Sequence, residues 1–117
     1  MIDKKLYDMY YDLISYDHHK SRDLVFNIEI TYKDGEVTYY AYHPGYVNEF
    51  GADVGSLEEG WEYLNRELAE CVKSEIKSLR SVLAMSPQER RECWLLDPPI
   101  TYKDLWEYEQ YVWRNYG

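Results

Sequence analysis

The sequence predicts a single α+β domain over residues 1–117: an N-terminal helix, an antiparallel β-hairpin or three-strand meander, then one long and two shorter helices. Three observations lead to this prediction. The apolar residues near the N-terminus recur at helical spacing, they then alternate around an Asp-Gly turn, and helical spacing returns after residue 56. Because elements of one type follow one another instead of alternating, segregated α+β is favoured over a parallel α/β fold.

The first helix is predicted over about residues 4–16, with Asp3 as its N-cap. Its core-facing stripe consists of Ile2, Leu6, Met9, Tyr10 and Leu13. Tyr7, Tyr11 and Ile14 widen the apolar arc well beyond what a surface helix needs. Such a helix either lies between two layers or presents a second stripe to a partner.

A hairpin is predicted around Asp34-Gly35, because both central positions of a type I′ turn favour positive φ. Strands of about residues 24–32 and 36–43 would then pair Lys33 with Glu36. Tyr40 and Tyr42 would point away from the apolar face, beside Glu29. Residues 46–50 form a possible third strand, and the glycines between 51 and 60 predict a loop.

Three further helices follow from their capping residues. Ser56 and Glu59 form a predicted capping box for a long helix of about residues 57–84. Ser86-Pro87 opens a short helix that extends to about residue 96, and Thr101 caps a last helix.

Charge and aromatic composition suggest the class of partner. The chain has 22 acidic and 13 basic residues, a net charge of −9, with 14 tyrosines and 4 tryptophans. Residues 1–65 contribute 13 acids and 5 bases, so an acidic face is expected from the N-terminal half. This balance argues against direct nucleic-acid binding and favours a basic protein partner. Simple solubility combined with a tyrosine-rich core explains the same totals.

Sites for catalysis, metals and cofactors are not predicted. No nucleotide-binding, nucleophile-elbow or zinc-protease motif occurs, and Cys71 and Cys93 lack metal-ligand spacing. His18 and His19 are interpreted as loop residues and His43 as a strand-end residue. Neither a signal peptide nor a membrane span is predicted, and two reduced thiols are expected in a reducing cytoplasm.

In size, charge, abundance of tyrosine and carboxylate, and helix-plus-hairpin order, the chain resembles the small acidic inhibitors of phages and mobile elements, above all anti-CRISPR proteins. The resemblance implies a non-enzymatic inhibitor whose carboxylates mimic phosphates at a basic site of a CRISPR effector. It would act in the cytoplasm of the host cell. The resemblance lies in composition and element order and carries over no family residues.

The residues themselves therefore provide the candidate contacts. The predicted partner-binding residues are Asp8, Asp12, Asp17, Asp23, Glu29, Glu36, Glu49, Tyr40 and Tyr42, with the two tyrosines as anchors. One alternative function is an immunity or antitoxin protein that neutralises a nuclease toxin. Another is a small hydrolase that uses His18, His19 or His43 with a carboxylate.

Overall fold

The structure is a computed structural model that describes residues 1–15, 24–44, 49–95 and 97–117. The predicted α+β class is confirmed. Its elements are α1 (Lys4–Ile14), β1 (Asn27–Lys33), β2 (Glu36–Pro44), β3 (Glu49–Val54), α2 (Leu57–Ala84), α3 (Pro87–Glu92) and α4 (Tyr102–Tyr116). None of the helices in these ranges is both long and apolar enough to cross a membrane.

Helix α1 begins where the sequence predicts, because Asp3 Oδ1 accepts hydrogen bonds from the backbone N–H groups of Lys5 and Leu6. Leu6, Met9, Tyr10 and Leu13 of the predicted stripe are buried together with Ile14, whereas Ile2 precedes the helix and is partly buried. The wide apolar arc is explained by neighbours on several sides. The helix packs on α2, Tyr10 contacts the ring of His43 in the sheet, and Tyr108 of α4 reaches Asp12.

The three strands form an antiparallel sheet in the order β1-β2-β3. The predicted turn and register are confirmed: Asp34 and Gly35 have positive φ, and Lys33 pairs with Glu36. The third strand includes Glu49 and Phe50 as predicted and continues through Gly51 to Val54, where a loop was expected. Residues 46–48 of the predicted strand lie outside the described residues. Pairing with β2 satisfies the backbone of β3, and Gly51 lies where the Tyr40 side chain crosses the strand.

One face of the sheet packs on α2. Gly60 of α2 allows the close approach, since a Cβ there would lie 2.6 Å from Cδ1 of Ile28 and 3.4 Å from Cγ2 of Val54. Ala41 lies fully buried at the centre of this face. The main core forms farther along α2, where Leu68 and Val72 meet residues of α1 and α4. Helix α2 is therefore the shared layer between the sheet and the other helices.

The helix ends show two further differences from the sequence predictions. Ser56 caps α2 through the N–H of Glu59, but the Glu59 carboxylate accepts from the N–H of Gly55 instead of completing a capping box. Helix α3 ends at Glu92, short of residue 96, because Trp94 adopts a left-handed φ of 60°. The N–H of Trp94 then bonds to Arg91 and that of Leu95 to Arg90, a Schellman arrangement.

The predicted caps of α3 and α4 are confirmed. Both are complete capping boxes, formed by Ser86 with Glu89 and by Thr101 with Asp104. Leu105 and Val112 bury one side of α4. Its other side is exposed and carries three aromatic rings, those of Tyr102, Trp106 and Trp113.

Candidate protein-binding surface

The face of the sheet turned away from α2 carries the candidate surface, which we call the outer sheet face. Strand alternation places on it Glu29 of β1, Glu36, Tyr40 and Tyr42 of β2, and Glu49 and Asp53 of β3. In the part of the chain that the structure describes, α2 is the helix with extensive contacts to the sheet, and it covers the opposite face. The outer sheet face is correspondingly solvent-exposed along most of its length.

A pair of stacked tyrosines lies at the centre of this face. The ring centroids of Tyr40 and Tyr42 are 5.6 Å apart, with planes inclined by 25°. The Tyr42 hydroxyl accepts a weak hydrogen bond from Asn27 Nδ2 at 3.4 Å. Tyr40 remains 43% exposed although its ring crosses Gly51, where a Cβ would lie 2.5 Å from the Tyr40 hydroxyl. The two rings form a fixed, accessible platform of the kind that serves as an interface anchor.

The platform borders a shallow cleft of about 610 Å³ at the β3 edge, which is lined by Tyr40, Tyr42, Glu49, Phe50 and Tyr63 among others. Tyr63 comes from α2 and packs edge-on against Phe50. Burial raises the pKa of the Tyr63 hydroxyl, and the charge of Glu67 and the nearby Tyr40 add to the effect. The raised pKa keeps the Tyr63 phenol a neutral hydrogen-bonding group at physiological pH.

Carboxylates flank the platform on both neighbouring strands. Glu29 of β1 and Asp53 of β3 lie directly opposite Tyr40 in the register. Glu49 lies opposite Pro44 at one end, and Glu36 pairs with Lys33 at the hairpin turn. Within the described strands, this face therefore presents four carboxylates and one ammonium group, so its field is negative.

The structure brings together five of the predicted contact residues and places Asp8 and Asp12 apart from them. Glu29, Glu36, Glu49, Tyr40 and Tyr42 share the outer sheet face. Asp8 and Asp12 lie on α1, which packs on the opposite side of the sheet with α2. There Asp8 pairs with Lys4 at 3.3 Å, and Asp12 accepts from the hydroxyl of Tyr108 at 3.4 Å. Asp17 and Asp23 lie outside the described residues.

Sequence reasoning missed Asp53 and Tyr63. The glycines around Asp53 suggested a loop, which gave no reason to place its carboxylate beside Tyr40. The alternation of Phe50, Ala52 and Val54 with Gly51 and Asp53 was the signal that could have extended the strand. Tyr63 required the packing of α2 against β3, which no local pattern specifies.

His43 is almost fully buried in an aromatic environment, at the base of the cleft that it lines together with Tyr40 and Tyr42. Its ring stacks on Phe26 at 4.5 Å and contacts Phe50 at 5.2 Å. Its Nδ1 lies 2.6 Å from the carbonyl oxygen of Val25, which can only accept, so Nδ1 carries the proton. Burial lowers the pKa of the imidazole, although the bond to Val25 works in the opposite direction. His18 and His19 lie outside the described residues.

This burial predicts how folding stability depends on pH. Because the pKa of His43 is lower in the folded chain, its contribution is complete above the unfolded value of about 6.5 and is lost as pH falls below it. Urea unfolding at pH 7.5 and 5.5 should show lower stability at pH 5.5. The same comparison on His43→Gln should show a smaller loss. An equal loss in both proteins would assign the effect to other groups.

Among residues 1–15, 24–44, 49–95 and 97–117, no group of three His, Cys, Asp or Glu side chains is placed to hold a metal ion. Burial and the nearby Glu67, Glu75 and Glu70 raise the pKa of Cys71 to about 11, so that its thiol is protonated at neutral pH. Comparison of the chain with protein-family models, curated proteins and solved structures found no match.

Proposed function

We propose that this protein is a non-enzymatic inhibitor whose outer sheet face binds a basic site of a nucleic-acid-processing protein, specifically a CRISPR effector. The proposal depends on one observation, the exposed Tyr40–Tyr42 stack flanked by Glu29, Asp53, Glu49 and Glu36. It includes action in the cytoplasm of the host cell.

The chemistry of the face supports this function. Arg and Lys side chains that normally meet phosphates can form charge-assisted hydrogen bonds with carboxylates held on a rigid sheet. Tyrosine adds contact area with little loss of side-chain entropy, and it is enriched at the centres of interfaces. Arg guanidinium groups also stack on phenol rings, so a tyrosine pair between acids suits an Arg-rich surface.

An immunity or antitoxin protein would use the same chemistry against a nuclease toxin, and partner identity distinguishes the two. A panel of purified CRISPR effectors and nuclease toxins, titrated with this protein, provides that test. The hydrolase alternative would depend on His43, which lines the cleft but is almost fully buried between Phe26 and Phe50.

Tyr40→Ala should weaken binding to the partner by about 1–3 kcal/mol, the range of an interface hot spot, and leave the melting temperature nearly unchanged. Gly51→Ala should weaken binding as well, since its new methyl group would displace the Tyr40 ring. Tyr32→Ala is the matched control, because Tyr32 is 73% exposed but lies on the other face of the hairpin. Isothermal titration calorimetry at 50 and 300 mM salt measures the affinity of the partner for the unmodified protein and for each of the three variants.

For the unmodified protein, affinity should fall with salt, and added nucleic acid should compete for the partner. Affinity that does not change between the two salt concentrations would exclude electrostatic mimicry. Equal losses for Tyr32→Ala and Tyr40→Ala would exclude the outer sheet face as the contact surface.

A further inference from the structure

A second surface, chemically opposite to the first, lies along the seam between α2 and α4. It is an open groove of about 620 Å³. Its α2 side carries Lys73, Lys77 and Arg80, and its α4 side carries Tyr102, Glu109 and Trp113. We call it the α2–α4 groove. It lies away from the sheet and shares no lining residue with the cleft beside Tyr40 and Tyr42.

The groove is built from two parallel stripes. Lys73, Lys77 and Arg80 are spaced by four and three residues, which places them on one face of α2. Tyr102 and Trp113 lie at the ends of a matching stripe on α4, with Trp106 between them. At 1.5 Å per residue, the eleven residues from Tyr102 to Trp113 span about 16 Å, roughly three helical turns.

Its floor is apolar and held in place. Ile76 is nearly fully buried beneath the groove. Arg80 forms an ion pair with Glu109 across the seam, which fixes the two helices to each other. Lys73 Nζ lies 4.6 Å from the centroid of the Trp113 ring and 3.1 Å from Glu70, so the indole is oriented by a cation. More than half of the Trp113 side chain is nevertheless exposed.

Charge complementarity indicates what fills the groove. Three cations and one carboxylate line it, and Arg80 pairs with that carboxylate, Glu109. The excess positive charge of the groove therefore comes from Lys77 and from Lys73, which also contacts Glu70 at the rim. An open groove of three turns between two packed helices accommodates a third helix, which inserts apolar side chains between the two ridges. Lys77 and Lys73 along one rim favour carboxylates on that helix. A nucleic-acid strand would need a row of cations along its phosphates, whereas this groove offers two ammonium groups beside an apolar floor, which suits a helix with one apolar face.

We propose that the α2–α4 groove binds an acidic amphipathic helix of a partner protein, with apolar side chains against Trp113 and Ile76 and carboxylates facing Lys73 and Lys77. This binding is independent of the outer sheet face. The protein would then have two binding surfaces, one for a basic site and one for an acidic helix.

Three fluorescein-labelled 18-residue helical peptides provide the probe. They share leucines at a/d positions and differ only in their flanking residues, which are Glu, Gln or Lys. The Glu peptide should bind the full chain at least about tenfold more tightly than the Gln peptide in fluorescence anisotropy, because rim cations select by charge. The Lys peptide reports binding to the acidic outer sheet face. Lys77→Glu and Trp113→Ala should each weaken the Glu peptide at least about fivefold.

Lys4→Glu and Trp94→Ala are the matched controls, since each makes the same change at an exposed position outside both the groove and the outer sheet face. Should Trp113→Ala fail to fold by circular dichroism, the exposed Lys77→Glu variant decides the result. Equal binding of the three peptides, or equal losses in groove and control variants, would overturn the proposal. So would tighter binding of a single-stranded oligonucleotide, or sedimentation showing a dimer that Lys77→Glu dissociates.

Discussion

Asp3→Ala is expected to destabilise the fold by roughly 2–4 kcal/mol, through the loss of a helix cap and of two charge-assisted hydrogen bonds. Oδ1 of Asp3 caps α1, at 2.9 Å from the N–H of Lys5 and 3.3 Å from that of Leu6. Oδ2 accepts from the hydroxyls of Tyr111 at 2.6 Å and Tyr116 at 2.7 Å. One carboxylate therefore joins the start of α1 to the end of α4.

The backbone of Asp3 extends the same connection to α2. Its N–H donates to Asn65 Oδ1 at 2.7 Å, and Asn65 Nδ2 donates to the carbonyl of Met1 at 3.0 Å. Removal of the carboxylate leaves two partly buried phenols without their acceptor, which is why the expected loss exceeds that of an ordinary cap.

Urea unfolding at pH 7 measures this loss. Asp8→Ala is the control, because Asp8 is an exposed carboxylate of the same helix and its pairing with Lys4 is worth less than about 1 kcal/mol. Asp3→Asn keeps acceptor oxygen without charge and should fall between wild type and Asp3→Ala. If Asp8→Ala and Asp3→Ala lose equal stability, the connection to α4 contributes nothing measurable.

The same carboxylate predicts a pH dependence at the acid end. Burial raises the pKa of Asp3, but hydrogen bonds from Tyr111, Tyr116, Leu6 and Lys5 outweigh it, and the net shift is downward. A lowered folded pKa gives stability that is complete above the unfolded value of about 3.9 and is lost as pH falls through the folded value. Unfolding curves of wild type and Asp3→Asn should therefore converge toward the lowest pH.

Leu68→Ala should cost about 2–5 kcal/mol, the range for a leucine removed from a closed core. Leu68 has 0% exposure and lies in the cluster where α1, α2 and α4 meet. The space it leaves would be lined by close-packed neighbours from three helices, which limits the relaxation that could fill it.

Leu57→Ala is the matched control on the same helix, since Leu57 is 46% exposed near the hairpin. Its loss should stay near 1 kcal/mol or below, as for most surface substitutions. Both variants are compared by urea unfolding with equal m-values as the criterion for an unchanged native state. A Leu68→Ala loss no larger than that of Leu57→Ala would contradict the placement of the core along the middle of α2.

Local signals in the sequence account for most element boundaries. The Asp3 cap, the Asp34-Gly35 turn and the capping boxes at Ser86 and Thr101 involve groups at most a few residues apart. Because their hydrogen bonds form between residues only a few positions apart, the local sequence is enough to predict which residues make them. The two tyrosines on one strand face follow equally from the period of two.

Long-range packing is responsible for the features that local patterns did not predict. The extension of β3 depends on its pairing with β2 and on the Tyr40 ring that crosses Gly51. The early end of α3 is the exception, since it depends on the local left-handed conformation of Trp94, an exposed residue whose type does not favour positive φ. The burial of His43 depends on aromatic rings contributed by residues on both sides of it in the sheet.

The same difference between local signals and long-range packing applies to the outer sheet face, the Asp3 contacts and the α2–α4 groove. Sequence periodicity places Glu29, Tyr40 and Tyr42 on one face, because cross-strand register follows from the turn. It does not bring Tyr111 or Tyr116 to Asp3, or align α4 with the cations of α2. The contacts of Asp3 join residues separated by most of the chain, and those between α2 and α4 join residues in different helices. Both sets form only when α4 packs against α1 and α2 and buries Leu105 and Val112.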